Sequence, residues 1–386
     1  MLAKRRIIIA SGGTGGHFYP GFALAQELRA RGWQVLFLVK KEDIAIPALE
    51  AADLPYAETD MTSLPRSLNP AAHISFLFKL CGSLALARRI ISDFRPEAVL
   101  GTGSYIAFPA VLAARLAGTG VYIHESNARF GLGNRLAAGF CRKAALGLPV
   151  PDNPFAGKCV LIGTPVRKDF ALHPERGEAR RALGLAEDKF TVLLFGGSQG
   201  ARRLNAAMVK SAARFRGKFQ LVHLAGRKNF AEVSAAYSEA GLSGAADIKL
   251  FDYREDMPLV YAAADLVVSR SGAGTVAELA ALRKPAVLVP LPSAAGGHQK
   301  ANALVLAAGG AAVCVEEGPD LDEALAKSLE GFLAEPSRAA EMARNFAKAG
   351  IPDGLKAAAR LADLIEAAKK LNSGGNLWKS KKAQSG

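Results

Sequence analysis

Cysteine is scarce and poorly placed for chemistry. The 386 residues include four, Cys81, Cys141, Cys159 and Cys314, with no Cys-x-x-Cys spacing and no histidine cluster beside any of them. A disulfide framework and a zinc site are therefore not expected, and reduced thiols of a cytosolic protein are. Long apolar runs are lacking too. The apolar, charge-free stretch Ala98–Ala114 is 17 residues and contains two glycines and a proline, short of the ~20 that a spanning helix needs. After Lys4-Arg5-Arg6 only about four apolar residues precede the glycines, so this segment reads as a first strand and not as a signal peptide. Such a chain would meet a membrane from the side. Gly-x₄-Gly-Lys-[Ser/Thr] is also missing, which argues against a P-loop ATPase or GTPase. Acidic residues are in short supply, 35 against 49 Lys and Arg, for a net charge of +14. Residues 1–163 carry 18 basic and 11 acidic groups, residues 164–370 carry 28 and 24, and the tail adds three lysines. That surplus implies an anionic partner: nucleic acid, a phosphate ester or an acidic membrane surface.

What is present is a large core. Half of the residues are apolar and 22% are charged, which excludes a disordered or fibrous chain, and the length suggests two domains. Ile7–Ala10, Val35–Val39, Ala98–Leu100, Val121–His124 and Val160–Ile162 read as buried strands, with helical composition at Pro20–Arg31 and Phe108–Leu116. The alternation restarts at Thr191–Phe195 and continues through Leu221–Ala225, Leu266–Ser269 and Ala286–Pro290. Strands alternating with helices predict parallel sheets, hence an α/β fold of two doubly wound, Rossmann-like domains with ligands at the carboxyl ends of the strands. The expected division is an N-terminal domain over 1–163, a C-terminal domain over 164–350, a closing amphipathic helix to Leu371, and a basic tail, 372–386, without fixed structure.

Three strands run straight into glycine loops: Ser11-Gly12-Gly13-Thr14-Gly15-Gly16, Gly101-Thr102-Gly103-Ser104 and Gly196-Gly197-Ser198-Gln199-Gly200. Backbone N–H groups and a helix N-terminus gathered at one point suit phosphate, and a Cβ would hold the anion off. A single such loop is as easily a tight turn; three together point to a phosphate compound. A dinucleotide is disfavoured. Gly-x-Gly-x-x-Gly fails at Gly13/Gly15 because Phe18 stands third, and where Gly272, Gly274 and Ala277 meet it loosely, no acidic residue follows between Leu279 and Val315. Thr275–Glu278 has the pattern of a capping box opening a helix Val276–Leu282, the favoured reading of the local sequence, although Glu278 could also accept hydrogen bonds from ribose hydroxyls. His17 is either a polar residue near a helix start or a base beside an anion site. Asp320-Leu321-Asp322 reads as a helix N-cap and not as a metal-binding Asp-x-Asp. Ile74–Leu80 is an apolar helical run with basic residues interleaved, either a core helix or a face resting on anionic lipid.

Taken in order, these motifs resemble the MurG family, bacterial enzymes that add N-acetylglucosamine to lipid I. The carrying residues are Ser11–His17, Gly101–Tyr105, His124–Asn127 followed by Gly131–Asn134, Thr164–Arg167, Gly196–Ala201, Ser269–Glu278 and Gly297–Ala303. Ser104 stands where the family often has glycine, and Thr164 where it usually has asparagine. The resemblance implies a GT-B glycosyltransferase, metal-independent and without a cofactor. UDP-N-acetylglucosamine would be held by Glu278 at the ribose, Ser198 at phosphate, and Arg167 and Asn127 on the nucleotide-sugar. Arg254 would flank uracil, His298 and Gln299 would read the sugar, and Thr14, Gly15, Gly16 and Ala273, Gly274, Thr275, Val276 and Ala277 would line the donor loops. Gly15, Gly16, Gly103 and Ser104 would cradle the acceptor pyrophosphate, and the base would be His17 or, second, Glu125. Lipid I, an anionic membrane surface at the cytoplasmic face and other cell-wall proteins are the implied partners, with no nucleic acid. A UDP-sugar epimerase, a diacylglycerol glycosyltransferase or a non-catalytic nucleotide-sugar binder stay open beside this reading.

Overall fold

A computed structural model describes residues 5–65, 68–151, 153–172, 174–197 and 201–367. The chain divides into two compact units. One holds the residues up to Ser126, Phe130–Pro165 and the chain from Lys356 onward; the other holds Asn127–Arg129 and Val166–Leu355.

In the first unit the strands are β1 (Arg6–Ala10), β2 (Gln34–Lys40), β3 (Tyr56–Thr59), β4 (Ala98–Gly101), β5 (Gly120–Glu125), β6 (Lys143–Leu146) and β7 (Cys159–Leu161). They form a parallel sheet in the order β3-β2-β1-β4-β5-β6-β7. The unbroken run Ile7-Ile8-Ile9 follows from helices covering both faces. Ile7 and Ile9 pack with Leu24, Leu28 and Phe37 on one side, while Ile8 packs with Val99, Val111 and Ile123 on the other. The second unit repeats the plan. Its strands β8 (Thr191–Phe195), β9 (Gln220–Leu224), β10 (Ile248–Phe251), β11 (Leu266–Ser269), β12 (Ala286–Leu288) and β13 (Ala312–Cys314) lie parallel in the order β10-β9-β8-β11-β12-β13. The winding reverses between β1 and β4, and again between β8 and β11. At such a point neighbouring loops leave toward opposite faces and open a crevice.

Several boundaries differ from the sequence reading. The helix expected from Pro20 begins at Gly15 and carries Pro20 inside it. Thr14 is extended and its carbonyl accepts from both His17 N and Phe18 N, so the helix is already wound before the proline arrives. The helix expected from Phe108 likewise begins at Ser104. Both early starts draw glycine-loop residues into a first helical turn. The C-terminal helix, described over 357–367, belongs to the first unit. Leu361, Ala362 and Ile365 join the core of β1 and β2, and Glu366 accepts from Arg5 (3.1 Å), Arg31 (3.0 Å) and Trp33 Nε1 (2.9 Å). The expected tail, 372–386, lies outside the described residues. The apolar run at Ile74 belongs to the helix Pro70–Phe94, which buries Ser83, Ala87 and Ile91. Its earlier turns are open, with Ile74 54%, Leu77 56% and Phe78 75% exposed. No helix among the described residues is long and apolar enough to cross a membrane.

Candidate active site

The first unit places its two glycine loops on either side of the β1/β4 reversal. Gly12 and Gly13 have φ of 139° and 82°, and Gly13 N donates to the buried carboxylate of Asp43 at 2.7 Å. A Cβ on Gly12 would lie 2.5 Å from the same carboxylate, so glycine is required at that close approach. Thr14 caps the helix with backbone only, and Gly15 and Gly16 occupy its first two positions, where amide N–H groups have no intrahelical partner. Gly103 (φ 93°) caps the helix that starts at Ser104, and Ser104 itself adopts φ 61°. The loops approach each other: a Cβ on Gly13 would be 3.4 Å from Ser104 Oγ.

His17 bridges them. Its Nδ1 lies 3.0 Å from the Thr102 carbonyl oxygen. A carbonyl can only accept, so Nδ1 is the donor, and in the neutral form of the ring the lone pair lies on Nε2. Glu125 is used differently. Buried, it accepts from Gly131 N at 2.9 Å and from Asn134 Nδ2 at 3.0 Å, and Asn134 also donates to the His124 carbonyl at 3.0 Å. This carboxylate anchors the start of the helix Leu132–Ala138. Beside it His124 bonds Ser126 Oγ and the Gly163 carbonyl, and burial pushes its pKa down to about 4, so it stays neutral.

Gly103 offers a sharp test of this arrangement. A Cβ there would sit 2.7 Å from His17 Nδ1 and 2.9 Å from Cε1, in a backbone region that disfavours L side chains. Gly103→Ala is expected to displace the imidazole, cost about 1–3 kcal/mol of stability and lower turnover at least about tenfold, without altering nucleotide affinity. Thermal melts beside steady-state kinetics and UDP titration check all three.

In the second unit the corresponding loops follow β8 and β11. Ser198 lies outside the described residues. After β11 the helix runs Ala273–Leu282 with Gly272 at its cap, so the expected capping box does not form. Thr275 falls on the third helical position and Glu278 on the sixth, because the winding begins at Ala273. The amides of Ala273, Gly274 and Thr275 open the helix, with Val276 the first to bond back, to Gly272 O at 3.0 Å. Glu278 is half-buried and accepts from the Tyr261 hydroxyl at 2.9 Å. Burial pushes its pKa up to about 7; Tyr261 and Arg167 pull it down and Asp169 pushes it up. Arg167 pairs with Asp169 at 3.3 Å and lies over Phe170.

Gln299 accepts from Leu291 N at 2.9 Å, its carbonyl accepts from Ser271 Oγ at 2.8 Å, and His298 opens the helix His298–Ala308 beside Gly296. Asn127 accepts from the buried Asn302, which also accepts from Ala128 N at 2.8 Å and donates to Ser271 O at 3.1 Å. The Arg254 guanidinium holds Asp256 at 2.8 Å and lies over Phe251. Asp43, Asn134, Tyr261 and Asn302 were not picked out from sequence. Only Asn134 and Asn302 stood inside a recognisable motif.

Comparisons with known proteins bear on the fold and the family. The family model described as the glycosyltransferase family 28 N-terminal domain matches residues 7–146, and that described as the family 28 C-terminal domain matches 191–358. A protein of Elusimicrobium minutum named UDP-N-acetylglucosamine–N-acetylmuramyl-(pentapeptide) pyrophosphoryl-undecaprenol N-acetylglucosamine transferase is 42% identical over 94% of this chain and 99% of its own. One of the same name from Halorhodospira halophila is 39% identical, again over 94% and 99%. The crystal structure of Acinetobacter baumannii MurG superposes with a TM-score of 0.76 at 29% identity, covering 94% of this chain and 99% of that one. A UDP-N-acetylglucosamine 2-epimerase structure, at 15% identity and a TM-score of 0.66, shares the fold. The chain belongs to glycosyltransferase family 28 and, within it, to the MurG family of N-acetylglucosamine transferases.

Proposed function

We propose that the chain transfers N-acetylglucosamine from UDP-N-acetylglucosamine to the muramyl hydroxyl of undecaprenyl-pyrophosphoryl-MurNAc-pentapeptide, lipid I, forming lipid II in peptidoglycan synthesis. The observation that carries the chemistry is the 3.0 Å contact of His17 Nδ1 with the Thr102 carbonyl, which in the neutral ring puts the proton on Nδ1 and leaves Nε2 as acceptor among the phosphate-type loops. In this reading Nε2 takes the proton of the acceptor hydroxyl as its oxygen attacks the anomeric carbon of the α-linked sugar. The C–O bond to UDP breaks, and the new linkage is β. Gly15, Gly16, Gly103 and Ser104 cradle the acceptor pyrophosphate. Glu125, committed to Gly131 and Asn134, holds the neighbouring helix instead of acting as the base.

Charge growing on the departing UDP is met by the open amides at Ala273–Thr275 and by the helix dipole. Glu278 takes the ribose hydroxyls and Arg167 the diphosphate. Ser198 is assigned to phosphate as well, while Asn127, His298 and Gln299 face the sugar and the backbone at Arg254 flanks uracil. The decisive assay follows UDP release from UDP-N-acetylglucosamine with and without a lipid I analogue, in EDTA. Release that requires the analogue and survives EDTA supports the transferase; release without acceptor supports an epimerase or hydrolase and overturns it.

The open apolar turn at Ile74, Leu77 and Phe78, with Lys79 beside it and Arg88 and Arg89 farther along the helix, supports peripheral docking to anionic lipid at the cytoplasmic face of the membrane. Replacing Leu77 and Phe78 together by serine is expected to weaken co-sedimentation with anionic vesicles at least about 100-fold, since fully burying each apolar side chain is worth about 1.5–3 kcal/mol. Nucleotide affinity should not change.

A further inference from the structure

We propose that Tyr261 is a positioning residue of the donor site, whose hydroxyl fixes the Glu278 carboxylate in the orientation and charge state in which it receives ribose hydroxyls. The inference rests on the reading of Glu278 given above. Tyr261 is fully buried on the helix Met257–Ala263. Its ring is held edge-on between Phe170 and Phe195, 5.8 Å from each. With the ring so wedged the hydroxyl has one direction available, and it points at Glu278 Oε2, 2.9 Å away. A phenyl ring alone would fill the same apolar space, so packing does not require the oxygen. What the oxygen does is donate to a carboxylate that its surroundings otherwise disfavour.

The charged groups set against Glu278 make the balance explicit. Arg167 and Asp169 act from the segment around the short turn Lys168–Ala171, and Tyr261 from its own helix. Burial and Asp169 favour the protonated acid; Arg167 and the Tyr261 hydroxyl favour the carboxylate. A protonated carboxyl is a poor acceptor for two sugar hydroxyls. Tyr261 also occupies one carboxylate oxygen, which stops the side chain rotating and turns the other toward the ligand.

The test is the affinity for UDP-N-acetylglucosamine, measured calorimetrically from pH 5.5 to 8.5. This donor is the chosen probe because its diphosphate bears no titrating monoester. Tyr261→Phe is expected to weaken binding about three- to tenfold near pH 7, to narrow to about a twofold loss above pH 8 where only the orientation is missing, and to move the acid limb of the profile upward by about half to one pH unit. Glu278→Gln should bind weakly at every pH, with no acid limb, and adding Tyr261→Phe to it should change Kd by less than about twofold. A uniform, pH-independent loss in Tyr261→Phe, no loss at any pH, or an undiminished effect in the Glu278→Gln background would each overturn the inference. Parental affinity in Glu278→Gln alone would instead remove the reading of Glu278 itself.

Discussion

Replacing His17 by alanine is expected to lower kcat by about 10²–10⁴-fold, the usual worth of a positioned general base, while donor affinity stays within about twofold. The expectation follows from geometry. Among the described residues the His17 ring makes one hydrogen bond, through Nδ1, and that bond runs to Thr102, across the winding reversal from its own loop. Removing the ring takes away the Nε2 acceptor without disturbing the fold of the donor unit. His17→Gln should be nearly as inactive, since its amide can reproduce a hydrogen bond but cannot accept a proton at neutral pH. Stopped-assay kinetics with a lipid I analogue, beside a UDP titration, separate the two effects. Turnover unchanged in His17→Ala would dismiss the residue as base.

Glu278→Ala is expected to weaken UDP-N-acetylglucosamine binding by about 10- to 100-fold, because each hydrogen bond to an ionised group is worth about 1.5–3 kcal/mol. Its pH dependence has a definite sign. With the carboxyl pushed up to about 7 in the folded protein, affinity of the parent should fall as pH drops below 7. The same shift acts on stability in the opposite sense. The folded state binds this proton more tightly than the unfolded state does, so the penalty is absent below the ordinary carboxylate range and grows as pH rises toward 7. Glu278→Gln, neutral throughout, should therefore be more stable than the parent at pH 8 by on the order of 1–3 kcal/mol. Greater stability with poorer binding would be the signature of a group kept for its ligand. Chemical denaturation of parent and variant at pH 5 and pH 8 checks the stability arm; a gain of Glu278→Gln over the parent that is no larger at pH 8 than at pH 5 would contradict it.

The two glycine loops were legible as turns between strand and helix because Gly12, Gly13 and Gly103 carry positive φ that other residues rarely adopt, a constraint written in composition. The strands with continuous apolar runs were legible for a similar reason: both faces of a parallel sheet are covered. Four strands escaped notice. Three of them, β3, β10 and β13, are edge strands, where only one neighbour and a partly open face shape the residues. The other, β6, is a four-residue piece, Lys-Ala-Ala-Leu, whose alanines carry no β signal. The capping-box reading of Thr275 failed because the winding starts at Ala273, and Gly272 can cap a helix through its backbone alone.

Local sequence thus determined the repeated strand–glycine–helix plan, the family and most of the motif positions, because those depend on neighbours a few residues apart. The tertiary structure decided what depends on distant partners. It set His17 on Thr102, 85 positions away, and so chose its tautomer. It tied Glu125 to Asn134 and seated Leu361 and Ile365 in the core of the first unit. It also buried Tyr261 between two aromatic rings with its hydroxyl on Glu278. Proton placement and carboxylate charge follow from such contacts, and no periodicity in the chain encodes them.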